Sequence, residues 1–244
     1  MNTANPLNQQ GGPLNRAFFH QDPRRLAISL LGKVLRRRYK HPQYGQLWLS
    51  ARIIETEAYY LDEKGSHSSL GLTPSRQAMF MPPGTIYMYY ARGADSLNFS
   101  ALGDGNAVLI KSALPYLDHL STDRSLSVMQ DLNPLKGRPR EPRRLCAGQT
   151  LLCRALNLKV PEWNLRQLDP ARFYLEDTGY LPEAFIQCPR MGIPTGRDEH
   201  LPYRFVDLAE ADACTSNPVR KRSWSAGRDY RIVPLPQSLP ALPC

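Results

Sequence analysis

The chain has no Cys-x-x-Cys pair, and its five cysteines (Cys146, Cys153, Cys188, Cys214 and Cys244) are odd in number. The first absence excludes a zinc ribbon and the second speaks against a closed disulfide framework. Reduced thiols in a cytosolic protein are the expectation. No apolar run approaches the roughly 20 residues that cross a bilayer, and the polar start MNTANPLNQQGGPLNR lacks the apolar stretch of a secretory signal. There is no internal repeat, and the His and Cys spacing offers no metal site. Neither a metal nor another cofactor is expected. Acid is also scarce relative to base: 31 Lys and Arg stand against 22 Asp and Glu, a formal net charge of +9. That surplus suits an anionic partner, with nucleic acid ahead of a membrane surface.

At 244 residues the chain can bury a core as one large domain or two small ones. No internal boundary is evident, so one domain over 17–232 is expected. A flexible leader, 1–16, rich in Asn, Gln, Gly and Pro precedes it, and a Pro-rich extended tail, 233–244, follows. Asp22 followed by Pro23 predicts a helix start, with Gly32 closing a short apolar helix. Residues 47–59 read as a long strand whose alternation puts Ile53, Glu55, Glu57 and Tyr59 on one face, Ile54, Thr56 and Ala58 on the other. A loop is expected over 61–75. Pro82-Pro83-Gly84 turns into a strand over 85–90 in which Tyr87 and Tyr89 share a face. Segments 97–101 and 107–113 form a hairpin closed at Gly103-Asp104-Gly105. Residues 151–158 read as a short helix, and the basic run 136–144 as a loop near phosphate or a solvated charge run. Consecutive strands without long helical crossovers predict an antiparallel sheet in an α+β fold.

Between residues 53 and 111 the chain gathers carboxylates, tyrosines at period-two spacing, one histidine and a cation at a strand end. Those are the means to hold a flat base and cut the bond that carries it. The segments ETEAY at 55–59, His67, MFMPPGTIYMY at 79–89, Asn98, GDG…VLIK at 103–111 and LCAGQTLLCRALNL at 145–158 resemble, in order and spacing, the alkyladenine (3-methyladenine) DNA glycosylase family. The likeness runs from about residue 18 to 205.

The resemblance implies a curved antiparallel sheet flanked by helices, with a protruding hairpin that intercalates DNA. It implies a monofunctional enzyme that flips alkylated or deaminated purines (3-methyladenine, 7-methylguanine, hypoxanthine, ethenoadenine) from the duplex and hydrolyses the N-glycosidic bond, leaving an abasic site. Glu57 would be the general base, Glu55 its non-catalytic neighbour, and Lys111 the cation at the family's arginine position. Tyr59, His67 and Tyr89 would line the base pocket beside Leu109, and Asn98 would disfavour guanine. At the DNA backbone and in the gap left by flipping it implies Arg92, Tyr90 and Arg76. Here the chain departs from the family, since Arg92 falls where a tyrosine is expected and the segment to Asn98 is one residue shorter. The partner would be double-stranded DNA with damaged purines, read by a monomer with no obligate protein partner and no membrane. The location would be cytoplasmic, at the nucleoid in a bacterium, or nuclear in a eukaryote. A non-catalytic DNA-binding protein on the same scaffold stays open, because Arg92 and Lys111 both depart from the pattern. A carbohydrate hydrolase using Glu55 and Glu57 as its carboxylate pair fits the charge and the tyrosines less well.

Overall fold

A computed structural model describes residues 12–235. Among these residues, ten strands form one open antiparallel sheet, and short helices pack against it. The strands are β1 (Gly12–Pro13), β2 (Val34–His41), β3 (Gly45–Tyr59), β4 (Ile86–Ala91), β5 (Ala94–Ser100), β6 (Ala107–Pro115), β7 (Phe173–Asp177), β8 (Ala184–Cys188), β9 (Arg204–Asp207) and β10 (Arg231–Pro234). The helices are α1 (Pro23–Ser29), α2 (Asp123–Leu132), α3 (Pro142–Leu145), α4 (Gln149–Ala155) and α5 (Val160–Trp163). The main path runs β1-β7-β2-β3-β6-β5-β4. Strand β3 is its spine: its first half pairs with β2, its second with β6, and at Glu55–Glu57 its other edge takes β9, which continues to β8 and β10.

Local chemistry sets the starts and turns. Asp22 caps α1, accepting from the amides of Arg24 and Arg25, with Pro23 in the first turn. The β4–β5 hairpin closes on two residues, Arg92 and Gly93, both at positive φ (51° and 78°) between the paired Ala91 and Ala94. This is the backbone that tight hairpins demand, and Arg92 adopts it without glycine's freedom. The expected hairpin around Gly103-Asp104-Gly105 is present, joining β5 to β6. A Cβ on Gly105, at φ 71°, would come within 2.7 Å of Leu61.

The core lies between one face of the sheet and α1, α2 and α4, with Leu26, Leu35, Ile53, Ala58, Met88, Phe99, Ile110, Met129 and Leu152 in a single buried cluster. The tyrosines of β4 follow the expected alternation: Ile86 and Met88 enter that core while Tyr87 and Tyr89 point to the opposite face.

Several expectations need correction. Ile53 does not share a face with Glu55. The β3–β6 register slips at Ile54, so Ile53 goes into the main core with Ala58, and Ile54 packs with Leu114 and Ala213 instead. A bulge inserts one residue and flips the alternation on one side of it. A second slip lies on β6, where Glu55 opposes Ser112 and Thr56 opposes Ile110, leaving Lys111 as the extra residue.

Order also begins inside the expected leader. Gly12 and Pro13 pair with Asp177 and Glu176, and Asn15 caps a 3-10 turn over Arg16–Phe19; residues 1–11 lie outside the described residues. The expected tail from 233 begins inside β10, which pairs with β8, and 236–244 lie outside the described residues. The expected loop at 61–75 holds a 3-10 turn, His67–Leu70, and runs into a second, Pro74–Phe80. The basic run contains the one-turn helix α3, and the helix expected at 151–158 starts two residues earlier as α4.

Candidate active site

A cavity of about 860 Å³ opens on the sheet face opposite the main core. Strands β3 to β6 supply one wall, the turn at His67 a second, α4 a third, and the segment after β8 a fourth. Its wall includes Tyr59, His67, Tyr89, Asn98, Leu109 and Lys111, residues up to 52 positions apart in sequence that the sheet register assembles. Tyr90, Arg92 and Arg76 also reach the cavity, the first two as exposed residues of the hairpin tip.

Glu57 lies just beneath this wall and is fully buried. Its Oε2 accepts from the Tyr59 hydroxyl at 2.7 Å. Its Oε1 faces Lys111 Nζ and the Met191 amide, each at 3.4 Å. Burial alone would raise the pKa of such a carboxyl. Lys111 most of all, then the Tyr59 hydroxyl, the Arg204 charge and the Met191 amide, outweigh it and hold the pKa below the ordinary 4.5. Glu57 is therefore ionised at neutral pH. Burial first, and Glu57 beside it, push Tyr59 well above its ordinary value, so the phenol stays a donor.

A depressed carboxyl contributes stability in full above about 4.5, and the contribution is lost as pH falls through the folded-state value. In Lys111→Ala the largest opposing contribution to burial disappears and the pKa of Glu57 rises. The acid limb of any Glu57-dependent reaction should then move to higher pH. A pH–rate profile checks this, and an unmoved limb would count against Glu57 as the titrating group.

Glu55 is a different case. Arg204 Nε donates to its Oε1 at 2.6 Å, while Ser112 Oγ, the Thr215 amide (2.9 Å) and Thr215 Oγ1 (3.0 Å) donate to its Oε2. Both oxygens are occupied by the protein's own donors, and both partners of the ion pair are at most 1% exposed. Glu55 is thus committed to contacts within the protein, whereas the Oε1 of Glu57 has only its two contacts at 3.4 Å.

The aromatic wall is layered. Tyr87 stacks on Tyr89 with ring centres 5.4 Å apart and planes 23° from parallel, and His67 meets Tyr89 edge-on at 4.2 Å. Tyr87 is buried yet also touches the cavity, and its hydroxyl lies 3.1 Å from His67 Nδ1. The surrounding wall, then the Arg76 and Arg197 charges, lower the His67 pKa below 6.5, leaving the ring neutral at pH 7. Asn98 is buried and donates from Nδ2 to the Tyr87 carbonyl at 3.1 Å, which fixes the amide against the cavity.

Residues 17–211 match the family model described as methylpurine-DNA glycosylase. A relative from Pseudomonas aeruginosa (strain UCBPP-PA14) is 60% identical over 222 residues, covering 91% of this chain and 90% of its own length. Another, from Pseudomonas savastanoi pv. phaseolicola (strain 1448A / Race 6), is 61% identical over 214 residues, covering 87% and 93%. One from Koribacter versatilis (strain Ellin345) is 33% identical over 205 residues, covering 81% and 90%. All three carry the name "Putative 3-methyladenine DNA glycosylase".

The chain belongs to the methylpurine-DNA glycosylase family. Some residues that build the glycosylase's cavity are not evident from sequence reasoning. Arg190 is buried behind Tyr59 with its guanidinium 4.5 Å from the ring centre, donating to the Ala58 carbonyl at 2.8 Å and pairing with Glu63 at 2.5 Å. It fixes the end of β3 that carries Tyr59. Met191 supplies the amide to Glu57, and Gln149 and Thr215 line the cavity. The available signal is an arginine in the Pro-Arg-Met-Gly-Ile-Pro segment 189–194, where Pro and Gly shape a tight, non-helical path. Arg204 had a stronger one, a charge inside an apolar strand, which calls for a buried partner. Among the described residues, no helix is long and apolar enough to cross a membrane, and no group of three or more His, Cys, Asp or Glu could hold a metal ion.

Proposed function

We propose that this glycosylase flips an alkylated or deaminated purine out of duplex DNA and hydrolyses its N-glycosidic bond with a water activated by Glu57. The observation that carries this is the fully buried, ionised Glu57 beneath an aromatic cavity, held by Tyr59 and Lys111. A sugar losing its base gains oxocarbenium character, which a nearby carboxylate stabilises. The two contacts on Oε1 are long, so this is the oxygen we assign to the water's proton. Tyr59 occupies the other oxygen and orients the carboxylate. Lys111, the bulged residue of β6, holds Glu57 ionised and keeps the positive charge at the family's arginine position without its planar fork.

Tyr59, His67 and Tyr89 would sandwich the extruded base, and aromatic stacking contributes roughly 1–3 kcal/mol per base. A neutral His67 adds no repulsion against a cationic alkylpurine. Electron-rich ring faces favour such a base through cation–π attraction. Asn98, with its amide pinned to β4, would occupy the space that the exocyclic amino group of guanine needs and so exclude it by contact. Candidate substrates are 3-methyladenine, 7-methylguanine, hypoxanthine and ethenoadenine. Arg92, exposed at the two-residue tip, would fill the gap left by the flipped nucleotide with its planar guanidinium, with Tyr90 (57% exposed) beside it. The place of Lys111, 3.4 Å from Glu57, supports the catalytic reading over a non-catalytic binding protein.

The test uses duplexes carrying a single hypoxanthine or an alkylated purine. The expected product is a strand that stays intact until alkali breaks it at the abasic site. Direct strand cleavage by the protein would contradict a monofunctional hydrolase, which needs no Schiff-base amine.

A further inference from the structure

The basic run expected to meet phosphate, 136–144, is largely engaged by its own fold. Arg140 donates to the carbonyls of Asn133 and Pro134, Arg143 pairs with Glu210 at 3.1 Å, and Arg144 reaches the carbonyls of Asp212 and Cys214. Lys136 and Arg138 of that run stay unpaired among the described residues, and a second group of unpaired cations lies further along the chain. Residues 218–231 contain five basic side chains and one acid, Asp229. Asp229 pairs with Arg228, and Arg220 pairs with Asp212 outside the segment, both at exposed positions. Lys221, Arg222 and Arg231 have no carboxylate within 4.0 Å among the described residues.

The segment is a built surface rather than a loose run of charge. Asn217 Nδ2 donates to Asp212 at 2.6 Å, the Ser225 amide to Asp229 at 2.8 Å, Arg228 Nη2 to the Ser223 carbonyl at 2.8 Å, and the Gly227 amide to the Tyr230 carbonyl at 2.9 Å. Lys221 Nζ is held 3.9 Å over the Trp224 ring, and Arg231 opens β10 at the sheet edge. The family match ends at residue 211, so this surface lies outside the matched part.

It also lies close to the site. Thr215 lines the cavity, and a chain spans at most about 3.6 Å per residue. Arg222, seven residues on, is therefore within about 25 Å of Thr215 at the Cα, and Arg231 pairs across from Gln187, four residues before the cavity-lining Met191, so both lie within one duplex turn of about 34 Å of the cavity wall.

We propose that residues 218–231 form a phosphate-binding patch that grips the backbone of the same duplex within one helical turn of the flipped nucleotide, through Lys221, Arg222 and Arg231. The proposal rests on DNA being the substrate. Backbone contacts fix register and orientation and carry no sequence information. Their loss should therefore weaken binding to undamaged and damaged DNA alike and leave the chemical step untouched.

The test compares wild type with the triple variant Lys221→Ala/Arg222→Ala/Arg231→Ala and with the charge-keeping triple Lys221→Arg/Arg222→Lys/Arg231→Lys. Affinity for an undamaged duplex is measured against NaCl concentration. Each phosphate contact contributes about 0.9 to the slope of log K against log salt, so the alanine triple should flatten it by about 2–3. The charge-keeping triple should retain the slope, and Arg222→Ala alone should lose about 0.9. Excision at saturating protein should be unchanged in all of them. A wild-type slope in the alanine triple, with an unchanged melting temperature, overturns the patch. A wild type that binds but releases no purine would defeat the functional assignment instead, and the slope comparison would still decide the patch.

Discussion

Glu57→Gln is expected to abolish purine release while lesion binding stays within a few-fold of wild type. Gln preserves the shape and still accepts from the Tyr59 hydroxyl, the 2.7 Å bond that sets the side chain's orientation. It removes the negative charge that would stabilise the developing oxocarbenium and the basicity that takes the water's proton. A positioned general base contributes about 10²–10⁴-fold. The single-turnover excision rate should therefore fall by at least about 10²-fold, with base stacking in the cavity unaffected. Retention of most of the rate would mean that the base is elsewhere.

Arg204→Ala should produce the largest loss of stability. It strips the partner from a carboxylate that is completely buried, leaving Glu55 with only the hydroxyls of Ser112 and Thr215 and one amide. Removing one member of a buried pair costs about 3–5 kcal/mol, which in a chain of this size lowers Tm by roughly 6–20 °C. Thermal unfolding measures it, and Glu55→Gln with Glu55→Gln/Arg204→Ala completes the cycle. The double variant, with no stranded charge, should be more stable than Arg204→Ala alone. A Tm shift of only a degree or two in Arg204→Ala would mean that this pair does not hold β3 to β9.

How much of this is legible in the sequence depends on range. Period-two alternation placed Tyr87 and Tyr89 on one face because β4 runs without irregularity. The same rule failed at Ile53, since a bulge inserts a residue that no local pattern announces. The resemblance points to Lys111, and that its side chain meets Glu57 depends on the second slip in register. Choosing between Glu55 and Glu57 required the resemblance, because both acids share a face. Their difference lies in Arg204 and Thr215, about 150 residues away in sequence. Arg190 and the Met191 amide were missed for the same reason: their partners on β3 lie over 130 positions earlier. The outermost strands carry no signal in composition. Gly12–Pro13 and Arg231–Pro234 look like linker, and only pairing with β7 and β8 makes them strands.

The central claim is hydrolysis of the base–sugar bond by Glu57, and its most direct measurement is free purine itself. Alkylated duplex DNA would be incubated with wild type and with Glu57→Gln, and the released bases separated and quantified. The account predicts free modified purine and an unbroken strand from wild type, and no release from the variant although both bind the duplex. No purine from either protein, with tight and salt-sensitive binding, would contradict it and make this scaffold a DNA-binding module.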